Sequence, residues 1–151
     1  RRTARLLHLL NIKESQRLIS HHEHNWKRRV VELVKLVQSG QSIAVVSDAG
    51  TPAIADPGMH LVQACVASGL PVVPIPGPCA AVTALSAAGF PCDEFVFFGF
   101  LPRKPAQLEQ KLNVIRSEPR TCIFYEAPHR VLTTFSRLAE LTPDRECLVA
   151  R

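Results

Sequence analysis

The chain reads as an α/β protein made of two small units with parallel-rich sheets, and three observations carry that reading. Short apolar runs rich in β-branched or aromatic residues, at 43–46, 71–74, 95–98, 121–125 and 146–150, have the length of buried strands. They alternate with longer stretches of helical period. Stiff Pro/Gly loops follow the runs at 47–58, 75–78 and 99–105, while the helical stretches stop at glycine or at a polar turn. Alternation of this kind builds βαβ units, whose strands pair in parallel and whose ligands bind at the carboxyl edge of the sheet.

Each element has its own justification. Apolar residues Ala4, Leu6, Leu7, Leu9 and Leu10 with arginines between them predict a short helix ending at Asn11. Residues 18–20 read as a short strand. The run His21-His22-Glu23-His24 offers imidazoles and a carboxylate to a metal, but neighbouring strand residues alternate faces and the spacing of a helical zinc motif is absent, so no metal is expected. Asn25 is the expected N-cap of a helix over 26–39, with Val30, Leu33, Val34 and Val37 as its apolar stripe. The strand 43–46, the loop 47–58, a helix over 59–68 and the strand 71–74 complete the first βαβ unit. A small-residue helix over 79–88 follows, its alanines suited to close packing. A hinge at 90–93 divides an expected first domain, 1–92, from the start of a second, 93–151. The second contains an aromatic strand 95–98, a basic loop 99–105, a polar helix 106–117, the strand 121–125, a loop 126–130, a helix 131–141 and a last strand 146–150.

With 151 residues and 46% hydrophobic content the chain can bury a core of ordinary size, which excludes a disordered class. A net charge of +5 and pI near 9.2 favour an anionic partner such as RNA. No run approaches the ~18 apolar residues of a membrane span, and no charged-then-apolar leader opens the chain. Five cysteines, odd in number and mostly inside apolar runs, argue against a disulfide framework and for a reducing compartment. The sequence begins at Arg1 without a methionine and ends at Arg151 directly after an apolar run, so a piece of a longer chain is expected.

The most informative stretch is Ser47-Asp48-Ala49-Gly50-Thr51-Pro52-Ala53-Ile54-Ala55-Asp56-Pro57-Gly58. A strand-to-helix connection needs about two to six residues, so this one is long. Proline removes backbone freedom, glycine allows positive φ and aspartate bonds nearby amides, which together give a loop of fixed shape suited to a ligand.

Together with Pro74-Ile75-Pro76-Gly77-Pro78, Phe97-Phe98-Gly99-Phe100-Leu101-Pro102-Arg103-Lys104 and Tyr125-Glu126-Ala127-Pro128-His129-Arg130, this loop resembles the ribosomal small-subunit (16S) RNA cytidine 2'-O-methyltransferase group of the tetrapyrrole methylase superfamily. The resemblance spans essentially the whole chain. It implies two α/β domains with helices on both sheet faces and a cleft between them that holds S-adenosylmethionine. It places Ala49, Gly50, Thr51 and Ile54 at the cofactor, with Cys79, Ala80, Tyr125 and Glu126 completing the site. Members of the group begin with a further strand and glycine-containing loop and continue past the position of Arg151. Where relatives carry serine after Pro-Gly-Pro, this chain has Cys79, a weaker hydrogen-bond partner. The resemblance also implies small-subunit ribosomal RNA as partner, a homodimer, neither DNA nor membrane, and a cytoplasmic location in a bacterium or an organelle of bacterial ancestry.

Methyl transfer to a ribose hydroxyl needs alignment and removal of a proton. The candidate bases are Asp48, Asp56, Glu126 and His129, none singled out by spacing; the two aspartates serve equally to fix the loop. For RNA, Arg103 and Lys104 follow a stiff Leu-Pro turn, with Arg130, Arg1, Arg2 and Arg5 as further candidates, against the alternative of scattered solvated charge. The aromatic run from Phe95 to Phe100 reads as core rather than as a stacking platform. Two other functions remain open: a superfamily methylase acting on a tetrapyrrole or protein side chain, and a truncated chain that only binds RNA or a partner.

Overall fold

A computed structural model describes residues 2–12 and 17–151; Arg1, one of the phosphate candidates, lies outside them. The chain divides into two compact units, Arg1–Pro78 and Cys79–Arg151.

The first unit carries three helices, α1 (Arg2–Leu9), α2 (Trp26–Gln38) and α3 (Gly58–Ala67). Buried Leu33, Leu61 and Cys65 form its core, with Ile19, Val30, Val34, Leu36, Ile43 and Leu70 packed around them. Burying an aliphatic side chain of this kind contributes about 1.5–3 kcal/mol, so the stripe predicted on α2 is what joins it to α3. The Trp26 and His60 rings stack at 3.8 Å across the same pair of helices. Asn25 occupies the N-cap position, but its side chain does not cap the helix: it accepts from the His22 amide and donates to the Ser20 carbonyl, holding the preceding turn instead.

The second unit carries α4 (Ala80–Ala88), β1 (Phe95–Phe100), α5 (Pro105–Ser117), β2 (Thr121–Tyr125) and α6 (Val131–Leu141). Strands β1 and β2 pair in parallel through Phe95 with Thr121, Val96 with Cys122 and Phe97 with Ile123. The register then slips before Phe100 meets Tyr125, and Gly99, at φ 61°, sits inside the slip. A left-handed residue at this point is what a bulge needs, and glycine adopts it without a Cβ clash. Leu101, Leu112 and Ile115 form the core, flanked by Phe98, Leu108, Cys122, Phe124, Leu138 and Leu141. Arg145 closes the far end of the unit, its guanidinium donating to the carbonyls of Ile115, Glu118 and Arg120 at the end of α5. A cation there also offsets the negative end of the helix dipole. Beside it, hydrogen bonds from Arg120 hold the Glu118 carboxyl down at about 2.

The α/β class holds, with six helices and a single two-stranded parallel sheet among the described residues. The runs at 18–20, 43–46, 71–74 and 146–150, expected as strands, form no ladder. An apolar β-branched run encodes the tendency to be buried in a sheet, but a strand exists only where a neighbour supplies the hydrogen-bonding partner. Val45, Val46, Val72, Val73, Leu148 and Val149 are accordingly exposed rather than sandwiched.

Candidate functional site

In the first unit the loop from Ser47 to Gly58 is held by its own polar groups. The Ser47 hydroxyl lies 2.9 Å from the carbonyl oxygens of both Ala49 and Gly50. Thr51 donates to the Pro78 carbonyl at 2.9 Å, tying the loop to the Pro-Gly-Pro segment. Asp56 accepts from the Gly58 amide at 3.1 Å. His21 Nε2 sits 3.1 Å from the Pro57 carbonyl, so this nitrogen carries the proton and anchors the end of the loop. Within these ties the backbone is left-handed at Gly50 (φ 70°), Ala53 (φ 69°) and Ala55 (φ 54°). For alanine that conformation costs about 1–3 kcal/mol and persists only when the surroundings over-determine it.

The loop is therefore preorganised, and Ala49, Gly50 and Ile54 lie exposed along it. Rigid, accessible main-chain groups are the donors and acceptors that a methionine carboxylate and ribose hydroxyls require, so the residues present fit S-adenosylmethionine. Asp48 stands at the loop's exposed entrance, 3.5 Å from Arg2; a pair so open to solvent contributes little. Asp56, a candidate base, has one carboxylate oxygen committed to the Gly58 amide.

In the second unit the loop after β2 is built around an ion pair whose carboxylate is buried and whose guanidinium is half-buried. The Glu126 side chain is only 4% exposed and lies 3.3 Å from the Arg130 guanidinium. It also accepts from its neighbour Ala127 N–H and from the Thr134 hydroxyl, both at 2.8 Å. Thr134 is 1% exposed on α6, so the carboxylate is bonded on both oxygens inside the protein. Arg130 then reaches back to β1's end, donating to the carbonyls of Leu101 at 3.2 Å and Pro102 at 2.7 Å. Glu126 and Arg130 thus form a clamp that joins the loop after β2 to the loop after β1. Glu126, expected as a base or cofactor contact, and Arg130, expected at phosphate, both spend their charged groups inward.

Of the remaining candidates, Arg103, Lys104 and His129 are exposed, and no ion pair engages them among the described residues. Arg5 is exposed on α1. Cys79 and Ala80 stand at the start of α4, where the Tyr125 hydroxyl accepts from the Ala81 amide at 3.3 Å. The structure thereby brings Tyr125 to the helix that carries Cys79 and Ala80. That contact and the Thr134 anchor escaped the sequence reading. No local spacing signals the second, because Thr134 bonds Glu126, eight residues earlier and ahead of α6.

Cys79 is the N-cap of α4 in extended conformation, yet its side chain makes no capping bond. Serine in that position accepts from the first turn's amides, a contribution of about 0.5–2 kcal/mol. Cys79→Ser should therefore raise the melting temperature by about 2–4 °C, as read by calorimetry.

Residues 2–151 match the family model described as Tetrapyrrole (Corrin/Porphyrin) Methylases, and the chain belongs to that family. It is similar to the ribosomal RNA small subunit methyltransferase I of Vibrio cholerae serotype O1, at 49% identity over the whole of this chain and 52% of the relative. It is also similar to the protein of that name from Escherichia coli O157:H7, at 51% over 89% of this chain and 48% of the relative, and from Bacillus subtilis, at 42% over the whole chain and 51% of the relative. The chain spans about half the length of these curated relatives.

Proposed function

We propose that this chain is part of an S-adenosylmethionine-dependent methyltransferase that modifies a cytidine 2'-hydroxyl in small-subunit (16S) ribosomal RNA. The observation that carries the reading is the match across residues 2–151 to a methylase family, together with relatives at 42–51% identity whose name is ribosomal RNA small subunit methyltransferase I. The four motifs that resemble the cytidine 2'-O-methyltransferase group supply the finer assignment of nucleotide and atom. The domain division at 92/93, the homodimer and the bacterial cytoplasm belong to the same proposal. No helix among the described residues is long and apolar enough to cross a membrane.

The bound cofactor supplies an electrophilic methyl group. In the first unit Ala49, Gly50, Thr51 and Ile54 are its proposed contacts, with the tied loop removing the entropy that ordering would otherwise cost. In the second unit Cys79, Ala80, Tyr125 and the main chain of Glu126 are proposed contacts. Four groups were candidates to take the hydroxyl proton. Glu126 has both oxygens bonded within the protein, which leaves Asp48, Asp56 and the exposed His129 as the groups proposed to accept one. Arg103 and Lys104 draw the phosphates of the RNA.

The test is transfer of labelled methyl from S-adenosylmethionine to small-subunit ribosomal RNA by the complete reading frame that contains this chain. Label in a cytidine whose 3' linkage resists alkali, because its 2'-oxygen is blocked, is the expected result. Label on a base, on a protein or on a tetrapyrrole overturns the assignment.

A further inference from the structure

Phe100 is the most exposed aromatic residue of β1 and lies outside the core. It is 59% exposed at the end of β1, its ring held edge-to-face by Tyr125 at 5.4 Å between ring centres. It borders a cavity of about 170 Å³ whose other walls are Leu101, Arg103, Ala127, His129 and Arg130. The floor is rigid: Leu101 is 2% exposed and its carbonyl is bonded by Arg130.

Size and charge limit what the cavity can take. Sites for whole cofactors and drug-sized ligands occupy about 300–1,000 Å³, so this one is too small for a whole cofactor and suits part of one nucleotide. An exposed ring fixed by a neighbour offers a π-face at little entropic cost, and base stacking on such rings is how single-stranded RNA is held without reading its sequence. Arg103, which no ion pair engages among the described residues, supplies a cation at the wall. Arg130 does not, since its guanidinium already serves Glu126, Leu101 and Pro102.

We infer that this cavity is a nucleotide subsite for single-stranded RNA, in which a base stacks on Phe100 and its phosphate meets Arg103. The ribose between them then lies beside His129. The inference rests on the RNA reading proposed above and sharpens it, because it assigns the aromatic strand end a contact with substrate and removes Arg130 from the phosphate contacts.

Equilibrium binding of a single-stranded small-subunit ribosomal RNA oligonucleotide to the complete reading frame tests it, with affinity followed against salt. Phe100→Leu keeps apolar volume but loses the π-face, and should weaken binding roughly 5- to 150-fold with the salt slope unchanged. Phe100→Trp should restore the affinity, which a merely structural role for the phenyl ring would not allow. Arg103→Ala should lower the slope by about 0.7. If Phe100→Leu binds as the parent does, or Phe100→Trp fails to rescue, the subsite is wrong; a reduced slope in Arg103→Ala would then still uphold the RNA reading. If the parent itself shows no salt-dependent binding, that reading fails and the subsite with it.

Discussion

Arg130→Ala is expected to lower the stability of the second unit by about 3–5 kcal/mol, a large part of the ~5–15 kcal/mol that holds a typical domain together. The reason is what the substitution leaves behind. Glu126, its side chain 4% exposed, would keep its bonds to the Ala127 amide and the Thr134 hydroxyl but lose the cation paired with it. The carbonyls of Leu101 and Pro102 would lose their donor as well. Removing one member of a buried pair exposes the desolvation cost that the other had been offsetting, whereas neutralising both removes the problem. Glu126→Gln/Arg130→Met should therefore melt above Arg130→Met alone. Arg130→Lys should recover only part, because an ammonium lacks the planar fork that reaches several acceptors at once. Calorimetry or urea melts of the four variants and the parent measure this, and an Arg130→Ala protein that melts with the parent would show that the clamp carries no stability.

That clamp also marks how far sequence can be read. Periodicity located all six helices and both strands of the ladder, because each rests on a local repeat of apolar residues: Val30, Leu33, Val34 and Val37 on α2, or the run from Thr121 to Tyr125. It failed at 43–46 and 71–74, where the residues favour a sheet but the partner is a tertiary fact. Candidate site residues divide in the same way. The loop from Ser47 to Gly58 was legible because proline, glycine and aspartate act on their own backbone. Even so, the left-handed alanines at Ala53 and Ala55 were not foreseen, since nothing in alanine's chemistry asks for that conformation. Glu126 and Arg130 look on paper like a base and a phosphate ligand; burial and the carbonyls of a distant loop turn them into a clamp. Phe100 shows the converse, a residue whose neighbours are core and which the bulge at Gly99 leaves at the surface.

Gly50→Trp is expected to weaken S-adenosylmethionine binding on the order of 10³-fold while leaving the protein folded. Two costs combine. Gly50 has φ 70°, a conformation that a bulky side chain adopts only with strain, so the loop must give up part of its tied shape. Each main-chain bond to a charged ligand group lost in that change is worth about 1.5–3 kcal/mol. A Cβ built at Gly50 meets the Pro78 carbonyl at 3.7 Å, so the indole would also crowd the segment just before Cys79 and Ala80, where further ligand contacts are proposed. Gly69→Trp is the matched control. Gly69 has nearly the same backbone, φ 66°, and a Cβ built there meets nothing within 4 Å, so it carries the strain without touching the loop. Both variants should lose similar stability, about 1–2 kcal/mol from the left-handed backbone, and only Gly50→Trp should lose the cofactor. Calorimetric titration of the complete reading frame separates them. Equal binding by the two variants would mean that the loop from Ser47 to Gly58 is a rigid connection between 43–46 and α3 and nothing more.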